Sequence, residues 1–258
     1  MTASVLTPDQ WDELADRGVV ALRGFAPVDL ARAAGEAVTR ALCEGGLWSA
    51  GQPGAVWPKG GLNVKRLGER PAEIEAMFAA PAMVALSSAL LDGAAPDRTI
   101  WKRPQLLVTL PNAAPWPSPR GWHRDFPRLT RPGRFGAQVF VALDIVAPGG
   151  GGAWVVAGSH RLMEAGRALS ISDIHTRLRR LDFIKALYAG VEDLKAHRGS
   201  VEGVELELVE LFGKPGDVHV MDPRALHSGS PNRRHLPRIM ATDRLVTAEV
   251  AAEVIAVV

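Results

Sequence analysis

Two side chains with metal-binding chemistry flank a single residue in Gly121-Trp122-His123-Arg124-Asp125. In an extended strand, residues i and i+2 point to the same face, so His123 and Asp125 bring an imidazole and a carboxylate to one point. Two neighbouring ligands hold a divalent ion weakly, and a third has to come from a strand that the fold lays alongside. His227 is the leading candidate. It stands in Ala225-Leu226-His227-Ser228-Gly229, after a Pro-Gly-Asp turn, a short apolar run at 218–221 and Asp222-Pro223. Two His and one carboxylate on one face of an octahedron leave three positions open, the arrangement of non-haem iron(II) oxygenase sites. A structural zinc site would close all four corners of a tetrahedron.

Three open positions suit a bidentate 2-oxoglutarate chelate and O2. The distal carboxylate of such a cosubstrate needs a cation, and a guanidinium offers the matching fork. Arg238 lies eleven residues after His227 at the start of an apolar run, where it could reach along a barrel axis. Arg233 and Arg234 compete for the role, but they follow Pro231-Asn232 in a turn-like segment.

The elements that must position these groups are short. Thr7-Pro8-Asp9-Gln10 reads as a capping box opening a first helix, which Gly18 ends. Val19 to Leu22 is a short strand, and Asp29 is expected to cap a second helix reaching about Leu42. Residues 45–63 read as loop, and 72–91 as helix interrupted by Pro81. Leu106 to Leu110 reads as a strand and Pro111 to Pro119 as a Pro-rich loop leading into the His-x-Asp motif. Ala137 to Ile145 suits a strand buried on both faces, and Trp154 to Ala157 a short one. Residues 173–197 switch to helical period behind Ser172. Val204, Leu206 and Leu208 then alternate with glutamates, Lys214 to Asp217 forms a turn, and 218–221 and 239–246 supply two more strands. Many short strands with turn signals, following helices, predict a β-rich α+β barrel or jelly roll with helices packed outside.

The ordered blocks Gly121-Trp122-His123-Arg124-Asp125-Phe126, Val141-Ala142-Leu143-Asp144, Gly158-Ser159-His160-Arg161 and Pro215-Gly216-Asp217-Val218 precede His227, Asn232 and Arg238. In order and spacing this text resembles the phytanoyl-CoA dioxygenase family, which includes bacterial ectoine hydroxylases and natural-product tailoring enzymes. The resemblance implies a double-stranded β-helix of the cupin-like jelly-roll kind, with Fe(II) on His123, Asp125 and His227. It also implies 2-oxoglutarate and O2 as cosubstrates, decarboxylation to succinate, and hydroxylation of a small-molecule substrate. It sets a single domain over 1–258, with a mainly helical part to about 100, a β-helix core over 101–250 and a helical insertion at about 161–200. Gln105 and Thr109 resemble the polar positions that members aim at 2-oxoglutarate, and Phe140 stands where members often carry Trp beside it. Members often carry a hydroxyl two residues after the distal His. Here that residue is Gly229, with Ser228 or Ser230 as substitutes. Members that halogenate replace the metal-ligating carboxylate with a small residue, and Asp125 disfavours that chemistry.

Other features have plainer readings. Arg120, Arg124, Arg128, Arg131 and Arg134 suit a solvated loop, or an anionic substrate or carrier thioester. Trp48, Trp57, Trp116 and Trp122 suit core packing or an apolar pocket. His160, His175, His197, His219 and His235 read as structural or surface residues, with His219 turned into the barrel. The 173–197 helix reads as a lid or a cover for a sheet face. The one cysteine, Cys43, excludes an intramolecular disulfide and reads as a small buried hydrophobe. Apolar residues at 47% and charged residues at 22% exclude a disordered chain. A net charge of +2 gives no case for nucleic acid. No apolar run reaches membrane-spanning length and no signal peptide is recognisable, so a cytoplasmic enzyme without membrane contact is expected.

Overall fold

The computed structural model describes residues 5–49, 70–111, 122–125, 134–163, 176, 179–182, 185 and 198–257. The first helix, α1 (Pro8–Arg17), opens as its sequence predicts. Gln10 N–H donates to the Thr7 hydroxyl at 3.2 Å, and Thr7 N–H donates back to the Gln10 carboxamide at 2.9 Å. Gly18 ends it at φ 68°, against the imidazole of His160, which bonds the Ala15 carbonyl at 2.9 Å. Any β-carbon at Gly18 would meet that ring. The His160 turn (Ser159–Met163, a 3-10 helix) is thereby tied to the end of α1.

A short strand, β1 (Val19–Leu22), leads to α2 (Val28–Glu44), whose cap is Pro27; Asp29 lies inside the first turn and is not the cap. Helices α3 (Ala72–Phe78) and α4 (Pro81–Leu90) are separate because Pro81, which lacks an N–H, is tolerated only in a first turn. Seven strands follow: β2 (Gln105–Thr109), β3 (Gly136–Ala142), β4 (Trp154–Ala157), β5 (Arg198–Val201), β6 (Val204–Glu210), β7 (Val218–Met221) and β8 (His227–Ser228). The longest strand, β9 (Arg238–Val246), precedes a closing helix, α5 (Ala248–Val257), that the sequence reading did not anticipate.

All strand pairs are antiparallel, in a five-stranded sheet ordered β1-β7-β3-β9-β2 and a four-stranded sheet ordered β5-β6-β4-β8. Alternation gives the larger sheet two different faces. One carries Val20, Val139, Val141, Val220, Ile239 and Ala241, packed against Ala34, Val38, Ile74 and Leu86 of the helices. The other carries Phe140, Ala142, Met221 and Met240, packed against Val155 and Ala157 of the smaller sheet. β3 is therefore buried at all seven positions, as its largely apolar run predicts, and its one polar side chain, Gln138, bonds the Thr242 hydroxyl. Two antiparallel sheets face to face, with helices covering the outer face of the larger, form the expected cupin-like jelly roll.

Gly35 shows how closely α2 lies on the sheet: a β-carbon there would stand 2.2 Å from the Leu143 carbonyl oxygen. Cys43 is exposed, contrary to expectation, because the buried side of α2 runs through Ala31, Ala34, Gly35, Val38 and Leu42. Of the tryptophans, Trp48 and Trp122 are buried in apolar clusters, whereas Trp57 and Trp116 lie outside the described residues. The 173–197 helix, His175, His197, Arg120, Arg128 and Arg131 also fall almost wholly outside them. Arg134 bonds Asp92 at 2.9 Å and lies over Trp11. No single described helix is long and apolar enough to cross a membrane.

One buried carboxylate fixes the strand-entry turn. Gly216, at φ 88°, lets the chain reverse at Lys214–Asp217. Asp217 then accepts from Gly24 N–H at 2.8 Å, Lys214 N–H at 3.1 Å and Arg23 at 3.0 Å. Burial alone would raise its pKa, but these donors and the Arg23 charge outweigh burial and lower it. A lowered folded-state pKa adds stability that is complete above the unfolded value and lost as pH falls through the folded one. Asp217→Asn is expected to cost at least about 2 kcal/mol at neutral pH. In urea denaturation the gap from the native chain should begin to narrow below about pH 4 and close only as pH falls through the lowered folded-state value.

Candidate metal and cosubstrate site

The backbone joins the two histidines. His123 N–H donates to His227 O and His227 N–H to His123 O, both at 2.9 Å, an isolated antiparallel bridge. Residues paired in this way carry their side chains on one face, and the two rings stand 4.3 Å apart, centroid to centroid. Asp125, two residues on, is held by its N–H to the Pro223 carbonyl at 3.1 Å. A ligand atom from each of His123, Asp125 and His227 lies within 4.8 Å of the others. The three predicted ligands therefore meet.

Their chemical state suits a divalent ion. His227 is 5% exposed, and its Nδ1 lies 3.0 Å from the Ala225 carbonyl. A carbonyl only accepts, so Nδ1 carries the proton and Nε2 keeps its lone pair. Burial, partly opposed by the Asp125 charge, pushes the His227 pKa down to about 4, leaving the ring neutral at neutral pH, as a ligand must be. His123 is exposed and Asp125 is half-buried, so the open side of the cluster lies toward them. Two neutral imidazoles and one carboxylate, with no fourth protein ligand among the described residues, fit an iron(II) facial triad better than a closed zinc site.

Arg238 opens β9 and faces the barrel interior on the same side as Met240. It is 8% exposed, and its Nε donates to the Gly151 carbonyl at 2.9 Å while Nη2 donates to the Thr109 hydroxyl. Burial lowers its pKa to about 10, which still leaves it cationic at neutral pH. Its described partners are both neutral. A buried cation with no protein counter-charge is costly unless an anion comes to it. The surroundings hold it in place. Asn232 donates to the Thr109 and Leu236 carbonyls at 3.0 and 2.7 Å, and Glu210 accepts from Gly149 N–H at 2.8 Å. Gly151, at φ 88°, has no room for a β-carbon beside Asn232. Arg233 and Arg234 are exposed, and Arg234 bonds the Pro148 carbonyl, so neither competes for the interior position.

Arg244 went unnoticed in the sequence. It lies six residues beyond Arg238 on the same face of β9. Its Nε and Nη2 donate to the two Asp125 oxygens at 2.9 and 3.3 Å, and Nη1 donates to the Gln105 carboxamide oxygen at 2.7 Å. The even spacing of Arg238, Met240, Thr242 and Arg244 on one strand was the available signal.

The remaining candidates divide by face. Thr109 pairs with Arg238, Gln105 pairs with Thr242, and Phe140 pairs with both Thr242 and His219, so all point inward. Ser228 does not: it pairs with Trp154 while His227 pairs with Val155, which turns the serine to the opposite face of the smaller sheet. Ser230 is buried with its hydroxyl unpartnered among the described residues. His219 is buried against Phe140, and desolvation lowers its pKa to about 4, so it is neutral.

Solved structures similar to this chain agree with that architecture. AviO1 from Streptomyces viridochromogenes superposes with a TM-score of 0.58 at 18% identity, covering 96% of this chain and 97% of its own. EctD from S. alaskensis, solved with bound Fe, gives a TM-score of 0.60 at 15% identity over 96% of this chain and 79% of its own. SnoK, an α-ketoglutarate-dependent carbocyclase of nogalamycin biosynthesis, gives 0.57 at 17% identity over 96% and 87%. At these identities the likeness establishes the fold. No curated protein sequence matches significantly. The phytanoyl-CoA dioxygenase (PhyH) profile matches residues 15–240, and the chain belongs to this family of iron(II)- and 2-oxoglutarate-dependent oxygenases.

Proposed function

We propose that His123, Asp125 and His227 hold Fe(II), that Arg238 with Thr109 anchors the distal carboxylate of 2-oxoglutarate, and that the enzyme hydroxylates an aliphatic carbon of a small organic molecule of secondary-metabolite type. The observation that carries this reading is Arg238, an interior cation whose described partners are all neutral. Iron and 2-oxoglutarate, when bound, supply an O2-derived oxidant strong enough for an unactivated C–H bond. The chain's own residues do the rest. The Ala225 carbonyl fixes the His227 ring. The fork from Arg244 fixes the Asp125 carboxylate. Phe140 supplies an apolar wall, and the Ser230 hydroxyl is the better substitute for the one missing at Gly229. A carboxylate at Asp125 fills the position a halide would need.

Ring closure or epimerisation at the same centre is the second reading. It is favoured by the shared fold with SnoK, described as a carbocyclase, and SnoN, described as an epimerase. A non-catalytic scaffold would have no use for a buried Arg238 or for a His227 held in its metal-binding tautomer. A cytoplasmic location fits a domain that works on small molecules.

Anaerobic addition of Fe(II) and 2-oxoglutarate is expected to give a weak visible charge-transfer band, absent in His123→Ala and His227→Ala. A fully loaded native protein without the band contradicts the proposal. Arg238→Gln should weaken 2-oxoglutarate binding, read from the same band, by at least about 30-fold, and Arg238→Lys should recover part of the loss. Unchanged binding in the glutamine variant would remove Arg238 from the anchor.

A further inference from the structure

The charges around the barrel are largely met in pairs, apart from Arg238, and filling the site moves the exception elsewhere. Arg98 lies 2.7 Å from Asp243, Arg224 lies 2.7 Å from Asp222, and Arg23 lies 3.0 Å from Asp217. On the reading above, Arg238 meets the distal carboxylate of 2-oxoglutarate. The two positive charges of the ion are then met by Asp125 and the inner carboxylate of the same cosubstrate. Arg244 has Asp125 as its one described acidic partner, and the ion claims that charge. The loaded site is left with one positive charge, located at Arg244. An uncompensated charge at a largely desolvated position is costly, and a ligand that cancels it gains what the protein has left unpaired.

The geometry gives that charge an outlet. A guanidinium has five N–H donors, and described residues engage three of those on Arg244, leaving one hydrogen on each terminal nitrogen. The side chain is 17% exposed, on the half-open side of the metal cluster where His123 is also exposed. It cannot swing freely, because Asp125 grips one edge, Gln105 holds Nη1 and the Trp101 ring lies 5.8 Å from its centre. Arg124 is no substitute: alternation from His123 and Asp125 places it with Trp122, which packs in the cluster centred on Val156 and Leu208. Gln105 is exposed beside Arg244 and adds a carboxamide to the same rim.

We propose that the substrate carries a carboxylate, or an equivalent single negative charge, and that Arg244 receives it beside the metal with Gln105 as a neighbouring polar contact. This rests on the iron and 2-oxoglutarate reading of the site. It makes Arg244 the residue that selects anionic over neutral substrates and sets which carbon of the substrate lies near the ion.

The test is a calorimetric titration of the anaerobic Fe(II)- and 2-oxoglutarate-loaded protein with hexanoate and, separately, with hexanamide, which has the same shape and no charge. Hexanoate is expected to bind on the order of ten-fold more tightly or better, the scale of one retained charge-assisted contact. In Arg244→Gln the two affinities should converge, and in Arg244→Lys part of the preference should remain. Equal affinity for the two probes in the loaded native protein overturns the inference, as does a preference that survives Arg244→Gln. If the charge-transfer band is present without a preference, this inference fails alone. If both are missing, the iron reading fails with it.

Discussion

Two backbone hydrogen bonds between His123 and His227 carry the rest of the site. They close a pair of residues that lie 104 positions apart in the chain and put both imidazoles on one face. Asp125 follows from them, because alternation along an extended segment returns the second residue to the same side. The larger structure exists to make that pairing possible. β8 is only two residues long, and it is held by β4 on one side and by the His123 segment on the other. β4 in turn lies on β6, and the inner faces of the two sheets close over Phe140, Met221 and Met240.

Electrostatics explains why the interior is built as it is. A barrel of this size can bury a cation only where something answers it. Arg224, with 5% of its side chain exposed, is answered by Asp222, while Arg98 and Arg23 are 40% and 49% exposed and instead answer the buried Asp243 and Asp217. Arg238 is answered by no described carboxylate, and a large share of the local structure is devoted to holding it there. Glu210 fixes the glycine turn that presents the Gly151 carbonyl, and Asn232 fixes the end of β2 that presents Thr109. Rigid neutral partners keep the guanidinium oriented and leave its charge for a ligand. Arg244 is the complementary case: it is paired through Asp125 without metal and released from that pairing, in charge if not in contact, when metal arrives.

Much of this was legible in the sequence where the physics is local. His-x-Asp on an extended segment, a distal His after a Pro-Gly-Asp turn, and an Arg at the head of the next strand are short-range patterns with direct geometric consequences. The capping box at Thr7 and the break at Pro81 are of the same kind. What escaped depends on pairing across strands. Arg244 carries no motif, and its meaning appears only when β9 lies beside β2 and reaches Asp125. Ser228 is turned away by alternation from His227, whereas Ser230 lies beyond the two-residue strand β8, so its burial and not strand alternation singles it out. Cys43 follows Leu42 in an apolar helix, yet one residue is about 100° of turn, enough to carry it from core to surface. The closing helix α5 has four alanines and two glutamates among its ten residues, so its helix propensity was legible and the reading passed over it.

The most direct measurement is anomalous diffraction at the iron edge from crystals grown anaerobically with Fe(II). One strong peak should lie about 2.0–2.2 Å from a ring nitrogen of His123, an oxygen of Asp125 and Nε2 of His227, a spacing normal for nitrogen and carboxylate ligands on a divalent metal. Iron bound elsewhere on the chain, or no peak among these three side chains in crystals of loaded protein, would contradict the account.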